Sequence, residues 1–130
     1  MDISITRPFS VIVLNIADSE PIELKLYTGT LKVYESITWA WIELERIQRD
    51  RAELPSKKLS QTDLALYTCR SLEMEADVSI GAIKEALGDE FKKIEPIVKY
   101  LPVSSLANIL SAIAKSMGEA MINDLAKGKI

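Results

Sequence analysis

The chain has 130 residues with no histidine, one cysteine and five glycines, and its 16 basic against 19 acidic side chains give a net charge of −3. Histidine titrates nearest neutral pH of all side chains, so its absence excludes imidazole-activated nucleophiles and the usual zinc ligand sets. At 48% hydrophobic residues, one core can form without a disulfide or metal, and the length fits a single domain over 1–130.

The first 29 residues read as a β-hairpin. Phe9 to Ala17 is rich in valine and isoleucine, and Ile22, Leu24 and Leu26 alternate with Glu23, Lys25 and Tyr27, a period of two with one buried face. Asp18-Ser19-Glu20-Pro21 has turn composition between them, and Ile3 to Thr6 extends the first strand or forms a short one of its own, with Pro8 as the interruption. A lone hairpin is marginal in water, so this one requires a covering helix or pairing across a subunit interface.

Residues 30–130 read as helical. From Leu31 the residues Val33, Ile37, Ala40, Trp41, Leu44 and Ile47 fall on one core stripe, while Tyr34, Trp39 and Ile42 lie off it and widen the apolar arc. A polar linker broken by Pro55 spans 54–59. Ser60 and Asp63 resemble a capping box opening a helix to about Met74, and Asp77 or Ser79 is expected to cap a separate short helix with Ile80, Ile83 and Leu87 inward and Gly88 as its C-terminal stop. Phe91 to Leu101 makes another, with Pro96 as a kink or in the first turn. Ser104 or Ser105 is expected to cap a last helix whose apolar face includes Leu106, Ile109, Leu110, Ile113, Met117, Met121 and Leu125, and whose other positions are small. The fold expected is α+β, an N-terminal β-hairpin followed by a bundle of about four to five helices.

No chemistry stands out. Glu73, Glu75 and Asp77 are spaced by two and disperse around a helix as a solvated acidic face, so no metal site is expected; the glycines are too scattered for a phosphate cradle, and no cofactor is expected. Cys69 reads as a small buried hydrophobe in a reducing compartment. The longest apolar run, Val11 to Leu14, is far below the ~20 residues of a membrane span, and no signal peptide is expected, which favours the cytoplasm. The basic residues do not gather into a stripe, and the stretch 60–95 is net acidic, which speaks against nucleic acid.

In order, the strand Pro21-Ile22-Glu23-Leu24-Lys25-Leu26, the helix from Leu31 to Ile47 and the acidic helices around Leu64 to Leu72 and Ile80 to Leu87 resemble the tail assembly chaperones of long-tailed bacteriophages and prophage-like elements. The resemblance implies a non-enzymatic cytosolic protein of the host cell that binds the tape measure protein, shields its apolar helices and helps recruit tail tube subunits. Members are often made in two lengths by a ribosomal frameshift, and Lys127-Gly128-Lys129-Ile130 is compatible with one. Tyr34, Trp39, Ile42, Met117 and Met121 are the candidate protein-binding residues, because aromatic and methionine side chains give adaptable apolar contact. A homo-oligomer is expected from the wide arc of the first long helix. A small homodimeric regulatory or inhibitory module and a carboxylate metal-dependent enzyme are the alternatives.

Overall fold

In the computed structural model, which describes residues 1–5, 8–27 and 31–126 and side chains as far as Glu119, the chain is an α+β fold. Strands β1 (Phe9–Leu14) and β2 (Ile22–Tyr27) form an antiparallel hairpin. Helices α1 (Leu31–Glu53), α2 (Gln61–Leu87), α3 (Glu95–Val98) and α4 (Val103–Ala126) follow, with 3-10 segments at Leu54–Ser56 and Gly88–Lys93.

The hairpin register runs from Phe9 opposite Tyr27 to Leu14 opposite Ile22. Its period of two sends Ile12, Leu24 and Leu26 into the core, where they meet Ile37, Ala40 and Leu44 of α1 together with Ile83 and Leu87 of α2. At the turn Asp18 adopts φ +65°, a left-handed conformation that aspartate tolerates better than most side chains. The covering that a lone hairpin needs thus comes from the helices of the same chain.

Ser60 caps α2 as its composition predicts, its hydroxyl accepting the Asp63 N–H at 3.1 Å. The expected break before Ser79 does not occur, and α2 runs on unbroken to Leu87. Nothing between Glu73 and Ser79 stops a helix, and Ser79 is buried among apolar neighbours, where a free cap would have no place. Gly88 ends α2 at φ +56°, and the Leu54–Ser56 turn lies in the linker.

Pro96 occupies the first turn of α3, where its missing N–H costs nothing. Helix α4 begins at Val103, one turn position ahead of the expected serine caps, because Ser105 and Leu106 both donate their N–H to the Pro102 carbonyl. Its stripe Leu106, Ile109, Leu110, Ile113 and Met117 completes the core against α2. Leu125 and the residues after Ala126 lie outside the described side chains.

Candidate protein-interaction site

Helix α1 is buried along Ile37, Ala40, Leu44 and Ile47, a spacing of three and four that turns one face to the hairpin and α2. Trp39 lies to one side of that line and Ile42 opposite it, and they are 69% and 52% exposed. Trp41, expected on the core stripe, is 38% exposed instead. It stands two residues from Trp39, about 200° around the helix, and so reaches the flank of α1 rather than its buried line.

The five candidate residues do not form one surface. Tyr34 is half-buried, and its hydroxyl donates to the Met117 carbonyl at 2.6 Å, tying α1 to α4. Met117 is a core residue at 1% exposure, because it continues the Ile109–Ile113 stripe that α4 turns inward. The side chain of Met121 lies outside the described residues. Trp39 and Ile42 remain as the exposed pair.

Trp39, but not Ile42, borders a groove that the sequence alone does not reveal, because it is made by the antiparallel pairing of α1 with α2. At one end it has a volume of about 540 Å³, with Trp39 as a wall and Ala40, Val78, Gly81 and Ala82 as the floor. A Cβ placed on Gly81 would meet nothing within 4 Å, so the floor there is open space. The rim carries Glu35, Glu43, Asp77 and Glu85 against Lys32. Lys32 bridges Glu85 at 3.4 Å.

The same helical stripes continue to a second stretch of about 470 Å³ lined by Ile47, Leu54, Tyr67 and Met74. Here the sign of the rim reverses, with Arg46, Arg51, Lys57 and Arg70 against Asp50 and Glu53. Arg46 bonds both Glu43 and Asp50, and its hydrogen bond holds the Glu43 carboxyl below the ordinary carboxylate range. The Arg70 guanidinium lies 6.0 Å from the Tyr67 ring centre.

Glu75 departs from the expected solvated acidic face. Its side chain is 6% exposed and accepts from Arg51 at 2.8 Å and from Gln48 at 2.6 Å. The signal lies 24 residues upstream on the other helix, where no local pattern could find it. Cys69, expected inside, is exposed on α2. Among the described residues, no three cysteine or carboxylate side chains converge to hold a metal ion, and no helix is long and apolar enough to cross a membrane. Compared with family models, curated proteins and solved structures, the chain finds no match.

Proposed function

We propose that this chain is a non-enzymatic protein-binding module of the host cytoplasm, a phage tail assembly chaperone that shields apolar helices of the tape measure protein and helps recruit tail tube subunits. The observation that carries the reading is Trp39, a large apolar side chain left in solvent as the wall of a groove floored by alanine and glycine, with Ile42 exposed on the same helix. Such a groove suits an amphipathic helix, whose apolar face it would cover. The family reading rests on the order of hairpin, long helix α1 and an acidic stretch, which forms the one continuous helix α2. Self-association belongs to the same reading, since among the described residues nothing covers Trp39 and Ile42 on the outer face of α1.

Co-expression with a tagged tape measure fragment tests it. The untagged chain should co-purify at a fixed ratio, and Trp39→Ala with Ile42→Ala should reduce recovery at least tenfold while the helical circular dichroism is kept. Failure of the chain to co-purify would overturn the tape measure assignment.

A further inference from the structure

We propose that the groove side of the α1–α2 pair is a homodimer interface, in which a second copy of this chain docks antiparallel about a two-fold axis crossing the groove near Glu43 and Met74. The inference rests on self-association and is independent of the client's identity.

Charge selects the occupant. One half of the groove carries four carboxylates, Glu35, Glu43, Asp77 and Glu85, against Lys32, which is net −3. The other half carries Arg46, Arg51, Lys57 and Arg70 against Asp50, Glu53 and the Glu75 that Arg51 bridges, which is net +1. A uniformly charged partner helix would be attracted at one end and repelled at the other. A two-fold operation reverses the direction of the groove, so each acidic half meets a basic half, and one surface is complementary to itself.

Apolar surface and size agree with that arrangement. Trp39, Tyr67 and Met74 are all exposed along the groove. On helices of even rise, the two-fold axis lays α1 along α1 of the other copy and sets Trp39 at the level of the other copy's Arg46, where an indole face can receive a guanidinium. Roughly 35 Å of α1 length, at 1.5 Å per residue, and roughly 20 Å of width for two packed helices give a footprint of about 700 Å² per copy. The total of about 1,400 Å² lies in the range of stable specific interfaces.

Gly81 is the third observation. Glycine in a helix interior is less favourable than alanine, and among the described residues no neighbour occupies the space that its Cβ would take. Its bareness suits close approach from outside the chain.

Analytical ultracentrifugation decides the matter, with no client present. The unaltered chain should sediment at twice its 14.5 kDa mass and dissociate as salt is raised. Glu35→Lys with Asp77→Lys makes both halves basic, and Lys57→Glu with Arg70→Glu makes both acidic. Each double variant alone should be monomeric, and an equimolar mixture should recover the dimeric mass. A monomer for the unaltered chain at every concentration, or homodimers persisting in both variants, overturns the proposal. If either charge variant loses its helical signal, Gly81→Leu decides instead, since the open floor admits the side chain: a folded monomer is expected, and a folded dimer overturns the interface. A dimer together with no tape measure binding at any chain concentration, in the monomeric charge variants as well, would sink the client reading alone.

Discussion

Trp39 and Trp41 stand two residues apart on one helix, and their surroundings differ enough to separate binding from folding. Trp39 is 69% exposed, so truncating it removes little intrachain contact. Trp41 is 38% exposed, little more than half the exposure of Trp39. A fully buried tryptophan truncated to alanine costs about 3–5 kcal/mol, and partial exposure brings Trp41→Ala to about 2 kcal/mol. Trp39→Ala should cost under about 1 kcal/mol, as surface substitutions do. Urea unfolding at concentrations that keep the chain monomeric measures both, and equal losses would place Trp39 in the core. Polar residues show the same dependence on surroundings. Glu75 is buried because Arg51 and Gln48 satisfy its oxygens, whereas Asp77, two residues on, faces solvent at the groove rim.

The hairpin treats its two edges differently. On the β2 side the Lys25 N–H donates to Glu90 at 2.8 Å, and the Lys93 ammonium donates to the Glu23 carbonyl at 3.2 Å, so the 3-10 segment closes that edge. Because Lys25 points its N–H outward, Val11 opposite it does too, and so do Phe9 and Val13 at the alternate positions. Among the described residues nothing bonds these groups, and the Phe9, Val11 and Val13 side chains are exposed as well. Glu90 therefore holds the one edge that is sealed. The Lys25 N–H first, and the Lys93 ammonium after it, lower its pKa below the ordinary value of 4.5. A group depressed on folding stabilises the native state above its unfolded pKa, and that contribution is lost as pH falls through the folded value. Thermal melting should thus lose less stability between pH 5 and about pH 3 in Glu90→Gln than in the unaltered chain. An unchanged slope would mean that Glu90 does not hold the edge. Both strands, the Ser60 cap and the Gly88 stop were legible in the sequence, because each rests on local chemistry: alternation, a hydroxyl at a helix start, a residue free to take positive φ. The continuity of α2 was not, since serine and aspartate signal a cap only where the backbone is free to end. Of the candidate site, Trp39 and Ile42 were legible from their place off the core stripe. Met117 was misplaced, because one stripe of α4 serves a core whose depth only tertiary packing sets.

At the scale of the molecule, the core occupies one end and the α1–α2 pair extends beyond it. No residue from Gln48 to Met74 is buried, while the hairpin, α4 and the second half of α2 share one apolar interior. Leu66, Tyr67, Leu72 and Met74 lie exposed on this extension, a density of apolar surface that marks an interaction region. Tyr67 and Met74 line the groove that Trp39 walls at its other end, so a second copy and a client helix would occupy overlapping surface. Two ligands that exclude each other are linked by mass action: whatever binds the monomer draws the dimer apart, and the dimer lowers the client's apparent affinity as protein concentration rises. Titrating a tape measure helix fragment into the dimer should convert twice the 14.5 kDa mass into a one-to-one complex in native mass spectrometry. The apparent Kd should weaken as the total chain concentration is raised, and the monomeric charge variants should abolish that dependence. A fragment that binds with the dimer intact, at an affinity independent of concentration, would put the client on another face and leave the groove to self-association alone.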